Sequence, residues 1–244
     1  MNPSEIQTQI PAFSPELILY KDELILIANK PAGIPIHETK DQQRADFTRL
    51  LQNSLGLPYL RTANRLDLYT TGIVVFGLDP HSNSKVDALL KESRKFYLAL
   101  VYGIISEDEF RIESFLKDGN KKVQTVRSGG KKAITLCKVL GRDSVNNISL
   151  VKAELVTGRR HQIRIHLSEY GNPIVGDRVY AEKMINQGLK RIHWNNALGK
   201  AETQLSNKDK NHFAEALYLH SYKLDLSSYK SDLVVRCQPY WMIY

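Results

Sequence analysis

Apolar and polar positions along this chain set out a run of short elements with no regular alternation of strand and helix. Leu17 to Asn29 is rich in Ile and Leu and reads as strand segments separated by Lys21-Asp22-Glu23. Lys30-Pro31-Ala32-Gly33 breaks that run, and Pro35 keeps the following backbone extended. Phe47 to Leu55 places Leu50, Leu51 and Leu55 at helical spacing and ends at Gly56. A polar stretch from Arg61 to Gly72 reads as a loop, followed by a buried strand, Ile73 to Phe76. Asn83 to Ser93 is helical, with Val86, Leu89 and Leu90 inward. Phe96 to Val101 is a strand closed by Gly103. Strand-like runs follow near 110–116, 122–127 and 132–140, with a hairpin turn expected at Gly129-Gly130. After a strand from Ile148 to Val156, Gly158 to Gly171 is predicted helical. There Ile163, Leu167 and Tyr170 share a face, Thr157 caps the start and Gly171 the end. Leu217 to Leu226 and Leu233 to Arg236 are closing strands. Many strands, few helices and no βα alternation give an α+β fold: a mainly antiparallel mixed sheet with flanking helices.

The length, 244 residues, allows one large domain or two small ones. With no clear linker, the expectation is an N-terminal arm over 1–16 and a single domain over 17–244, interrupted by a polar insertion at 181–212. Hydrophobic residues make up 42% and charged residues 25%, the proportions of a globular chain, which excludes wholesale disorder. No apolar run reaches the roughly 18 residues of a membrane span, so no membrane partner is expected. The first residues have neither a basic nor an apolar segment, so no signal peptide is read. Cys137 and Cys237 stand apart from each other and from clustered His, which excludes a zinc ribbon, a CxxC motif and a disulfide scaffold. A reduced, cytoplasmic protein is expected. The net charge of +8 points to a polyanionic partner, though a merely basic surface has the same sum.

Four places invite chemistry. The helix expected from Gly158 begins Arg159-Arg160-His161, where the dipole favours acids instead; a phosphate would compensate, as would a solvated basic turn. His161 and His166 are five apart, not the i, i+4 spacing of two metal ligands on one helix face, and no metal is expected. Asp67 lies in a polar loop ahead of a buried strand. That is a plausible place for a nucleophile, but taken alone it reads first as a turn carboxylate bonding its own backbone. Tyr97 alternates away from Phe96, Leu98 and Leu100, where it is a sheet-surface residue or a platform for a base.

In order and spacing, these pieces resemble the RluA-type RNA pseudouridine synthases. Five blocks carry the likeness: ILIANKPAGIPIH (25–37), NRLDLYTTG (64–72), KFYLALVYG (95–103), TGRRHQIRIHLSEYGNPIVGDRVY (157–180) and LHSYKL (219–224). The second is similar to the family's HRLDxxTSG and the fourth to TGRxHQIRxHxxxxGxPIxGDxxY. Asn64 stands where the family usually has His, and Thr71 where it usually has Ser.

The resemblance implies a pseudouridine synthase fold with a central RNA-binding cleft. It implies isomerisation of a uridine in ribosomal or transfer RNA, with no cofactor. Asp67 falls at the catalytic aspartate, Tyr97 at the tyrosine against the target base, and Arg164 at the basic residue that ion-pairs with the aspartate. Arg65 falls at the arginine that helps displace the flipped nucleotide. Together with Asn64, Lys30, Arg159, Arg160 and His161 it forms the expected RNA contact set. The arm before residue 17 is too short for the S4 RNA-binding domain of many relatives, so the catalytic domain itself must grip RNA. Residues 181–212 are one candidate grip, and a monomer is expected. Two other classes compete: a catalytically silent RNA-binding protein, supported by Asn64, and a glycoside hydrolase, disfavoured because no second acid flanks Asp67.

Overall fold

A computed structural model describes residues 13–37, 46–120, 122–181 and 217–242. Most of the expected arm and nearly all of the polar insertion at 181–212 lie outside the described residues. In chain order the first elements are β1 (Ile18–Lys21), β2 (Ile25–Lys30), α1 (Phe47–Ser54), β3 (Arg61–Thr62), β4 (Thr71–Gly77) and α2 (Asn83–Glu92). Then come β5 (Arg94–Tyr102), β6 (Glu109–Asp118), β7 (Val123–Thr125), β8 (Lys131–Asp143), β9 (Ile148–Leu155), α3 (Gln162–Glu169), β10 (Leu219–Asp225) and β11 (Val234–Arg236). The fold is α+β and mainly antiparallel, as the pattern predicts.

The chain folds as two compact units. One is drawn from Met1–Ser93 and Ser221–Tyr244, the other from Arg94–His220. In the first, β2 runs antiparallel between β1 and β4, with Ile25 opposite Gly77 and Lys30 opposite Gly72. Both β2 and β4 are buried nearly throughout, because each has a hydrophobic cluster on either face. One cluster gathers Ile25, Ile27, Ile73 and Val75 with Val86, Leu89 and Leu90 of α2. The other gathers Leu26, Val74 and Phe76 with Phe47 and Leu51 of α1. Two-sided burial explains why these strands read as continuous apolar runs, without polar alternation. Asp46 accepts the Arg49 N–H at 2.9 Å and so fixes the start of α1.

In the second unit, β5, β9, β8 and β6 follow one another in a wholly antiparallel order, with β7 beyond β6. Helix α3 packs on the inner face, where its Ile165 joins Leu116, Val123 and Ala133. Two local expectations are overturned here. The hairpin turn lies between β6 and β7, with the Gly119 N–H donating to the Lys122 carbonyl at 3.1 Å. Gly129-Gly130 instead joins β7 to β8, both of which pair with β6; a side chain at Gly130 would meet the β6 backbone. The helix begins at Gln162, four residues later than its expected start at Gly158, and His161 precedes it with φ of 52°. Thr157 does not cap it. The Thr157 hydroxyl donates to Gln162 Oε1 at 2.8 Å and accepts the Ile134 N–H at 2.8 Å, which ties the approach to the sheet. Arg159 and Arg160 therefore sit in a turn ahead of the helix and not in its first turn.

Candidate active site

In the first unit the Asp67 loop runs from β3 to β4, and four backbone and side-chain contacts fix its course. At its beginning, the Ala63 N–H donates to the Val75 carbonyl at 2.8 Å. Asn64 then prolongs this pairing with its side chain: Oδ1 accepts the Val75 N–H at 2.7 Å and Nδ2 donates to the Ile73 carbonyl at 3.4 Å. The amide imitates one more strand residue. It thus docks the loop to β4. Arg65 is exposed and Asp67 half-buried. The Thr70 N–H donates to the Asp67 carbonyl at 3.1 Å, so the loop closes in a turn directly over the aspartate.

The end of the loop requires glycine. Gly72 has φ of +104°, and a β-carbon there would stand 2.2 Å from the Ser221 carbonyl oxygen on β10. Both the backbone angle and the close strand exclude any side chain.

Lys30 is the main correction among the candidate residues. Expected to hold RNA, it has no exposed surface. Its Nζ donates to the carbonyls of Pro31 at 2.8 Å, Ile34 at 3.0 Å and Leu68 at 3.0 Å. An ammonium has three N–H donors, and all three are engaged, so none is left for a phosphate. The Leu68 carbonyl also accepts the Gly33 N–H at 3.0 Å. Lys30 and Gly33 thus pin the residue next to Asp67 onto the loop after β2. Burial pushes the Lys30 ammonium down to about 7, and the negative charge of Asp67 opposes that fall.

In the second unit Arg164 and Tyr97 are both buried. Tyr97 lies on β5 opposite Ala153 and is not the surface tyrosine that alternation allows, because both faces of β5 are covered. Arg164 Nε and Nη2 donate to the two carboxylate oxygens of Asp177 at 2.7 and 3.0 Å. Asp177 also accepts the N–H groups of Val179 and Tyr180, and the guanidinium lies 5.2 Å from the Tyr180 ring. Asp177 stands in the quoted GDRVY run, and its place in that run is its only sequence signal.

Side-chain hydrogen bonds also hold the residue before α3 and the rest of the helix. His161 Nδ1 is 2.9 Å from the Tyr180 hydroxyl, and the two rings meet edge to face. Gln162 Nε2 donates to the Ile134 carbonyl and to Thr135 Oγ1. His166, fully buried, bridges Ser114 and Thr135 at 3.0 and 2.9 Å, and burial lowers it to about 4. It is therefore a neutral core histidine. Arg159 is exposed, with Nε on the Lys132 carbonyl at 3.1 Å, while half-buried Arg160 reaches the Gly119 carbonyl. Among the described residues no cluster of His, Cys, Asp or Glu could hold a metal ion, and no helix is long and apolar enough to cross a membrane.

Residues 24–169 match the family model described as RNA pseudouridylate synthase. The chain is 34% identical over 194 residues to the mitochondrial tRNA pseudouridine(32) synthase of Saccharomyces cerevisiae, covering 76% of this chain and 40% of that protein. It is 32% identical over 172 residues to the dual-specificity RNA pseudouridine synthase RluA of Yersinia pestis, covering 68% of this chain and 82% of that one. The chain spans between 40% and 64% of the length of three of the curated relatives it matches. Among solved structures, human RNA pseudouridylate synthase domain containing 4 superposes with a TM-score of 0.67 at 24% identity. It covers 92% of this chain and 89% of that one, a likeness of fold.

Proposed function

The chain belongs to the RNA pseudouridylate synthase family, in its RluA-type branch, and from that premise we propose that it isomerises a uridine in ribosomal or transfer RNA to pseudouridine. The N1–C1′ bond breaks, the base turns, a C5–C1′ bond forms, the C5 proton leaves and N1 takes up a proton. No electrons or outside groups enter, so this chemistry calls for no cofactor.

Asp67 is the nucleophile in this reading. The observation that carries it is the Lys30 clamp, inside the matched span. A buried ammonium fixes the peptide beside a half-buried carboxylate on an otherwise polar loop. A turn carboxylate with no further task needs no such support. The substitution of Asn64 for the family His does not weaken this reading, because its amide docks the loop to β4. Tyr97 packs against the target base and Arg164 ion-pairs with the nucleophile, the roles that the resemblance implies. The uridine must leave its stack, a step costing a few kcal/mol, and we assign exposed Arg65 the task of filling its room. We take 17–244 to act as one catalytic domain, working as a monomer. Buried, unlinked Cys137 and Cys237 support a reducing compartment, which we take to be the cytoplasm.

The experiment is tritium release from RNA carrying 5-tritiated uridine, with ribosomal and transfer RNA offered separately. The wild-type protein releases tritium from one or both. Asp67→Ala releases none, while its circular dichroism and RNA affinity stay those of the wild type. Release by the Asp67→Ala protein would overturn the assignment.

A further inference from the structure

The outward face of β6, in the second unit, carries an aromatic residue that the proposed reaction does not use. Along β6 the side chains alternate, and Phe115 and Lys117 share the outward face. Phe115 is 45% exposed. Its partner across the ladder is Lys132 on β8. The turn after β6 adds exposed Lys122. Two cations arrive from the turn ahead of α3: Arg159 is bonded to the Lys132 carbonyl and Arg160 to the Gly119 carbonyl. Lys117 and Lys132 thus share the face of the exposed ring, and Lys122, Arg159 and Arg160 lie in turns joined to the backbone of the same strands. Two carboxylates lie among them, Glu113 at 2.5 Å from Lys132 and Asp118 at 3.7 Å from Arg160. Among the described residues no ion pair occupies Lys117, Lys122 or Arg159.

This composition selects a partner. Protein-binding patches are depleted of lysine around their aromatic centre, whereas a ring set among lysines and arginines is the surface that single-stranded nucleic acid requires. Only unpaired bases offer a face to stack, and their phosphates supply the charge that the cations lack.

We propose that this face is a second RNA-binding site, on which an unpaired base stacks on Phe115 while neighbouring phosphates lie on Lys117, Lys122, Lys132, Arg159 and Arg160. It rests on the reading that the protein acts on RNA, and it holds a part of the substrate other than the target uridine.

The test uses fluorescein-labelled oligoadenylate, which presents bases and phosphates but no uridine to isomerise. Phe115→Ala, a change at an exposed ring, weakens its binding roughly 5- to 150-fold at constant salt and leaves the salt dependence unchanged. Lys117→Gln and Lys122→Gln each make the negative slope of log affinity against log salt shallower by about 0.7. Phe115→Trp gives a fluorophore whose emission is quenched when oligoadenylate is added. The same strand annealed into a duplex binds more weakly. Unchanged affinity in the Phe115→Ala protein, or equal binding of strand and duplex, overturns the proposal. Tritium release by the wild type is scored apart from this. Turnover with Phe115-independent binding removes this site and keeps the synthase reading. Phe115-dependent binding without turnover does the reverse.

Discussion

Lys30 in the first unit and Arg164 in the second are both buried cations, yet Lys30 bonds three backbone carbonyls and Arg164 a carboxylate. The consequences of losing each differ. Carbonyls are neutral, and loop carbonyls turn to water at modest cost. A buried carboxylate stripped of its cation has no such escape. The first unit is thus built to fix a loop, the second to keep a helix locked in the core.

The sharpest way to break this contrast is Arg164→Met. It leaves Asp177 charged in the core, and a loss of about 3–5 kcal/mol in urea unfolding is expected, together with loss of turnover. Adding Asp177→Leu should return much of the stability and none of the activity. If stability were already normal in the single variant, the ion pair would not lock α3.

Acid should weaken the second unit next. His166 titrates near 4 in the folded state, below its ordinary 6.5. The unfolded chain therefore binds the extra proton first, and stability falls as pH drops from 6.5 towards 4, by something on the order of 3 kcal/mol. Urea midpoints across that range check this, and His166→Gln should flatten the curve.

Lys30→Met sharpens the comparison from the other side, with the smallest effect on stability. The loss is about 1 kcal/mol near pH 7, while kcat falls at least tenfold, more than KM changes, because the Asp67 loop loosens. The folded ammonium titrates near 7 and the unfolded one near its ordinary 10.5. Between those values the unfolded chain holds more protons, so this group makes stability rise with pH, and the Met variant should lack that rise. A variant with full kcat would show that the clamp is dispensable.

The strands other than two-residue β3, which lies in a stretch that reads as loop, and the helices α1 and α2 are legible because burial on one face or both writes itself into the apolar pattern. The start of α3 is not. Its residues 162–167 are all buried, so polar Gln162, Arg164 and His166 give no amphipathic stripe, and only tertiary partners show where it begins. Asp67 and Arg164 could be picked out by their place in motifs, but Asp177 could not be assigned, since nothing in sequence joins it to Arg164 thirteen residues earlier. Lys30 is counted among the RNA contacts because nothing in the sequence shows that it is buried. Its three carbonyl partners come from the fold of two loops that are distant in the chain.

Gly72 lies against the backbone of Ser221, a residue translated long after it. The first unit therefore cannot close around the Asp67 loop until Ser221–Tyr244 has left the ribosome. Closing so long a loop is slow compared with forming β5 to β9 from neighbouring segments. In a nascent chain the second unit is expected to form first, while the aspartate waits on an unfinished sheet. The proposed nucleophile would then be held in its working loop only after β10 has emerged and paired, well after its own synthesis.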